Sequence, residues 1–259
     1  MKRRTVIRLV GGVLAAVVVA FIALSAYIYV VGGSGEASRE VQARRVEPDR
    51  QVGAESTPEG SQEYGLEESQ QVQSRYIVYG AVAGQSEARF LIDEVLRGEP
   101  KTVVGRTDQI DGSIAVQFEP GRVEIGEFEI NLRTIATDDE MRDRTIRGMI
   151  LETNRDEFEF STFVPTAVSG VPQTLTAGSS VDLIVTGDLT VRDVTRSVDF
   201  EMTLRVLSER RLEGFATTRF TWDEFEITIP YVGGDSIVNA VDDWVVIEME
   251  FVALAEERS

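Results

Sequence analysis

Residues 181–206 read VDLIVTGDLTVRDVTRSVDFEMTLRV, and the fold follows from their rhythm. Val181, Leu183, Val185, Leu189 and Val191 keep a period of two, Arg192 and Asp193 interrupt it, and Val194, Val198, Phe200, Met202, Leu204 and Val206 resume it. Successive side chains of an extended chain point to opposite faces, so the pattern describes two neighbouring strands joined by a tight turn, each with one buried and one wetted face.

The same rhythm runs outward in both directions. Ala88, Phe90 and Ile92 alternate, as do Ile110, Ile114, Val116 and Phe118, then Phe128, Ile130 and Leu132, then Phe158 and Phe160. Downstream come Leu212, Ala216, Phe220 and Trp222, and finally Val241, Val245, Ile247, Met249, Phe251 and Ala253. Only TDDEMRDRTIRGMIL breaks the pattern: Met141, Ile146, Met149 and Ile150 recur at helical spacing, and Thr137 with Glu140 reads as a capping box. A single helix over 138–151 is therefore expected among about eight strands. Wetted outer faces exclude a parallel sheet covered by helices and leave an antiparallel sandwich or a closed barrel.

Composition narrows the chemistry. The chain has no histidine and no cysteine, which excludes Ser-His-Asp and cysteine catalysis, histidine-ligated zinc, disulfides and an acylated N-terminal cysteine. Its 44 acidic residues against 26 basic ones give a net charge of -18, which repels phosphate backbones, so no nucleic acid is expected as a partner. The pairs Asp138-Asp139, Asp223-Glu224 and Asp242-Asp243 read as solvated or helix-capping groups, because neighbours on a strand cannot flank a substrate from the same side. No calcium loop and no phosphate-cradling glycine loop is present. Neither a catalytic nor a metal-ligating residue is assigned, and no cofactor is expected.

The N-terminus carries Lys2, Arg3, Arg4 and Arg8, followed by 23 uncharged residues from Leu9 to Val31. That length crosses a bilayer core of roughly 30 Å as a helix, and the preceding positive charge keeps the N-terminus cytoplasmic. The exit lacks a small-x-small site, since Leu24 precedes Ala26 by two positions. Residues 1–31 are thus read as a single-pass signal anchor in the cell membrane, with everything after it outside the cytoplasm; secretion after cleavage is the alternative. Residues 32–74, rich in Gly, Ser, Glu and Gln without a period, read as a flexible acidic linker. The patterned domain covers 75–255, and 256–259 form a tail.

The run Thr186 to Leu204 resembles the "G-x-L-T-i-x-G-V-T-x-x-V-x-[LF]" signature of the YceI-like, polyisoprenoid-binding proteins through Gly187, Leu189, Thr190, Val194, Thr195, Val198 and Phe200, with Asp193 where glycine is commonest. Gly126 to Leu151, with Thr134, Ile135, Thr137, Arg142 and Asp143, is similar to that family's strand, turn and Arg-Asp helix. FEFSTFVPTAV and the final strands follow in the family's order. The resemblance spans about 75–255 and implies an extended, eight-stranded, antiparallel, lipocalin-like barrel with one inserted helix and an apolar lumen that holds an isoprenoid or related lipid. Many members carry a histidine near the second strand, where this chain has Phe90-Leu91-Ile92-Asp93-Glu94, so any headgroup contact made by that residue is not carried over.

The inward parity nominates the lumen: Phe90, Ile92, Phe118, Phe128, Ile130, Phe160, Leu189, Val191, Phe200, Met202, Leu204, Phe220, Trp222, Ile247 and Met249. The leading expectation is a non-enzymatic carrier or store whose partners are a lipid and the membrane, with a second copy of the chain left open. The alternative is a surface module of the cell envelope whose barrel is packed solid and binds no lipid. A carboxylate hydrolase would need two opposed carboxyls inside a cleft.

Overall fold

The structure is a computed structural model that describes residues 35–48, 76–230, 232 and 238–256, together with Ala23 and Tyr27. The expected membrane span at 9–31 therefore lies outside the described residues apart from Ala23 and Tyr27, as do 32–34 and 49–74 of the expected linker and residue 75, where the patterned domain is expected to begin. No helix among the described residues is long and apolar enough to cross a membrane.

Among the described residues, ten strands form one antiparallel sheet: β1 (Ile77–Ala81), β2 (Glu87–Leu96), β3 (Glu99–Thr107), β4 (Ile110–Gln117), β5 (Arg122–Asn131), β6 (Phe160–Ser169), β7 (Ser180–Val191), β8 (Val194–Ser208), β9 (Arg211–Thr221) and β10 (Val238–Ala255). Their order is β1-β4-β5-β6-β7-β8-β9-β10-β2-β3, and a further β1–β10 pairing closes the barrel. Ten strands and eight staves are compatible because two staves are broken. β1 and β2 both run antiparallel to β10, from Tyr79 opposite Ala255 up to Leu96 opposite Val238, with an interruption at 82–86. β3 and β4 make a second broken stave, interrupted at Asp108 and Gln109, and Arg106 bridges to Ala136 beyond the end of β5. The result is an eight-stave antiparallel barrel.

The opening stretch supplies β7 and β8, paired from Ser180 opposite Arg205 to Val191 opposite Val194. In the two-residue turn it is Arg192, at φ 57°, that takes the left-handed conformation, whereas Asp193 is not among the positive-φ residues. Position 193 therefore does not need the glycine that is common there. Gly187 answers a different demand: a Cβ there would lie 2.6 Å from the Phe163 ring of the neighbouring strand. The space it leaves lets Phe163 meet Phe200 edge to face at 4.8 Å.

The helix is shorter than expected and capped differently. α1 spans Glu140–Thr145, and its N-cap is Asp139, which accepts from the Arg142 N–H. A π-helical turn, Ile146–Ile150, continues it. Thr137 is not the cap because its N–H and hydroxyl both donate to the buried carboxylate of Asp143.

Residues 35–48 fall inside the stretch read as a flexible linker, yet they lie against the outer wall of the barrel. The N–H groups of Ser38, Gln42, Ala43 and Val46 donate to the side chains of Glu159, Glu129, Asp111 and Ser113. Arg39 pairs with Glu129 at 2.7 Å and lies 3.7 Å over the Phe160 ring, while Arg45 reaches Asp111 and Glu256. Glu159 is fully buried beneath this strap and also pairs with Arg133 at 2.9 Å and Asn131 at 2.8 Å. Low hydrophobicity predicts a loose chain when apolar burial is the only force counted. Here ion pairs and backbone hydrogen bonds to outward-pointing carboxylates provide the attachment.

Candidate functional site

The barrel is packed solid at one end and hollow at the other. Tyr79, Leu183, Val185, Leu204, Val206, Leu212 and Phe251, each at most 2% exposed, fill the end where β8 runs into β9. The Tyr79 hydroxyl donates to the Glu209 carbonyl of that turn at 2.9 Å, and burial pushes its pKa up to about 12. Above this floor opens a cavity of about 930 Å³, near the top of the range for small-molecule sites.

Every stave contributes apolar side chains to the cavity wall. They include Phe90 and Ile92 from β2, Phe128 and Ile130 from β5, Phe163 from β6, Leu189 and Val191 from β7, Phe200 and Met202 from β8, Ala216 and Phe220 from β9, and Ile247 and Met249 from β10. The wall's few polar side chains are engaged: the Ser161 hydroxyl donates to the Thr190 carbonyl, and Thr107 shares a hydrogen bond with Thr134. The interior therefore presents hydrocarbon and offers few free polar groups to a ligand.

Polar groups gather at the mouth. α1 and the π turn lie along one side of the rim and turn Met141, Ile146 and Ile150 toward the cavity. Arg142 pairs with Glu94 of β2 at 3.2 Å and with Asp138, which also receives Lys101 of β3 at 2.8 Å. Hydrogen bonds from Lys101 and Arg142 hold the exposed Asp138 carboxyl below its ordinary pKa. This network ties the helix to the β2–β3 hairpin. The carboxylates that border the cavity, Glu94 and Asp139, are thereby occupied by an ion pair and a helix cap. Among the described residues no group of three acidic side chains could hold a metal ion.

Twelve of the fifteen lumen candidates line this cavity: Phe90, Ile92, Phe128, Ile130, Leu189, Val191, Phe200, Met202, Phe220, Trp222, Ile247 and Met249. The other three are placed elsewhere. Leu204 is fully buried in the solid end, and Phe118 packs against the same core from its edge. Phe160 sits on the outer face under Arg39. The register explains this last correction: Ser161 opposes Ile130 and Phe163 opposes Phe128, so Phe160 has the outward parity. Phe163 is the residue that alternation from Ser161 would have found. The apolar helix face of Met141, Ile146 and Ile150, predicted from spacing alone, also borders the cavity. Ile227, Ile229 and Val232 also line the cavity from the segment before β10, where no strand pattern marks them.

A sequence model described as the YceI-like domain matches residues 79–253. No curated protein matches the chain. Among solved structures, it is similar to a polyisoprenoid binding domain from Saccharophagus degradans implicated in plant cell wall breakdown, at 14% identity and TM-score 0.52, over 70% of this chain and 99% of that one. BcnA of Burkholderia cenocepacia matches at 16% identity and TM-score 0.48 over 66% and 98%. The YCEI protein of Campylobacter jejuni matches at 13% and 0.47 over 59% and 85%. The first of these shows a shared barrel fold.

Proposed function

The chain belongs to the YceI-like domain family, and we propose that it is a membrane-anchored, extracytoplasmic binding protein that carries or stores one isoprenoid or related amphipathic lipid without acting on it chemically. The observation that supports this reading is the apolar cavity of about 930 Å³, hollow toward the mouth and closed by packed side chains below. Burying ten methylenes there contributes about 8 kcal/mol at roughly 0.8 kcal/mol each, enough to offset much of an association cost of about 4–15 kcal/mol. The tail lies among Phe90, Met202 and Ile247, and the polar end stays at the mouth near Arg142 and Glu94. Both of these groups are paired, so they can rearrange around a head without leaving a bare charge buried.

No reacting group is required by this role. Among the described residues that border the cavity, the carboxylates Glu94 and Asp139 are held by an ion pair and a helix cap and form no free, opposed pair, and affinity comes from hydrocarbon burial. The anchor is supported by the uncharged run Leu9 to Val31 behind a basic start. The alternative of a solid surface module agrees with the packed end of the barrel and not with the hollow end.

Native mass spectrometry of the full chain, released from its membrane in mild detergent and followed by organic extraction, tests the proposal. The expected result is one long-chain lipid per protein. A protein that is empty as isolated, and that takes up no added isoprenoid lipid, would overturn it.

A further inference from the structure

A free linker of 43 residues, from Gly32 to Ser74, would have a root-mean-square span of about 36 Å and would leave the barrel facing any direction. The strap removes that freedom at its first residues. A Cβ on Gly35 would lie 3.2 Å from the Arg147 guanidinium, which belongs to the π turn at the rim. From there the strap descends the outer wall, meeting Glu159 through Ser38, Glu129 through Arg39 and Gln42, and Ser113 through Val46. Its rim end is therefore the end nearest the apolar run. Only four positions separate Gly35 from Val31, a reach of at most about 14 Å.

The opposite end of the barrel is much farther away. β10 alone has 18 residues, and with ordinary strand rise and barrel tilt it places the β8–β9 turn roughly 45 Å from the rim. The rim also carries the exposed apolar side chains Met141, 44% exposed, and Val232, 39%; Trp244, 47% exposed, lies on the outer face of β10 beside the upper end of β9. The Arg219 guanidinium lies 4.8 Å over the Trp244 ring, a pairing of aromatic and cation suited to the headgroup layer. Charge works the other way, because a chain of net charge -18 is repelled by an anionic bilayer surface. A slack tether would let the body swing away, whereas a strap fixed at the rim holds the mouth down.

We propose that residues 35–48 are a docking strap that turns the mouth of the barrel toward the bilayer, so that the rim of Met141 and Val232, with Trp244 on the outer face of β10, meets the membrane and a lipid passes between bilayer and cavity without crossing water. The inference rests on the anchored reading above.

The absence of cysteine makes the test direct. Met141→Cys at the rim and Glu209→Cys at the closed end are each labelled with a fluorophore in the full chain. The labelled chains are reconstituted in phosphatidylcholine vesicles containing a headgroup spin-labelled lipid. The expected result is severalfold stronger quenching of the rim label than of the closed-end label, and loss of that difference when Arg39→Glu and Arg45→Glu release the strap. Gln42→Pro, which removes the N–H donated to Glu129, is a second way to release it and should have the same effect. A chain that fails to float with the vesicles overturns the anchored reading and this inference with it. A chain that floats with both labels equally quenched overturns the orientation alone. Unequal quenching that survives both kinds of strap variant overturns the strap as its cause.

Discussion

Leu212 and Phe220 lie on the same strand with the same parity, yet one is fully buried in the solid end and the other borders the cavity. Leu212→Ala should cost about 2–5 kcal/mol, because its neighbours cannot collapse into the void. Phe220→Ala in the ligand-free protein should cost only about 1–2 kcal/mol, since part of its surface already faces open space. Urea melts of the pair check this; equal penalties would mean that the upper barrel is filled as well. Tyr79 offers a second test. Its hydroxyl ionises near 10 in an unfolded chain and at about 12 in the fold, so its stabilising effect is complete below pH 10 and is lost as pH rises through 12. Tyr79→Phe should remove that alkaline loss and cost about 1 kcal/mol at neutral pH by leaving the Glu209 carbonyl unpaired. Alternation shows which side chains point inward, but not where along the axis they stop meeting partners from the opposite wall. Leu204 and Met202 look alike in sequence for that reason, although only Met202 reaches the cavity.

At the scale of elements, the long strands were legible because their apolar side chains recur at every second position over many residues. β3 was not, since Pro100 and the adjacent Val103 and Val104 of EPKTVVGRT leave no alternation. The strap was illegible for a different reason. It is held by the carboxylates of Glu129, on the outer parity of β5 where an acidic residue is expected in any case, and of Glu159, in the turn just before β6 where no strand pattern applies. Burial raises the pKa of both carboxyls, but hydrogen bonds from Arg39 and Gln42 at Glu129, and from Ser38 and Asn131 at Glu159, outweigh it and hold both below the ordinary value. Their contribution is therefore complete above the ordinary carboxylate pKa of about 4.3 and is lost as pH falls through the lower folded values. Arg39 stays charged throughout. Below about pH 4, the amide resonances of Ser38 and Gln42 should shift together and lose exchange protection, while those of β7 and β8 hold. If strap and barrel amides respond at the same pH, the strap is an integral part of the barrel's cooperative unit.

At the scale of the whole molecule, the barrel, its inserted helix and its buried face were readable from periodicity and from the resemblance carried by residues 186–204. The hollow was not, because the same inward residues can fill a barrel or surround a space, depending on how far its walls stand apart. Ala216 marks that difference: it is fully buried and also borders the cavity, where a larger side chain would reach inward. Ala216→Phe should shorten the longest lipid tail the cavity accepts while leaving shorter tails bound. A chain-length series of fluorescent lipids would show the cut-off moving, and an unchanged cut-off would place the tail elsewhere.

The packed end beneath the cavity has a consequence for traffic. With Tyr79, Leu204, Leu212 and Phe251 closing the bottom, whatever enters must leave by the same door. Loading and delivery therefore exclude each other in time. A barrel closed in this way cannot serve as a conduit, and in the carrier role proposed above a donor and an acceptor would have to take turns at a single threshold.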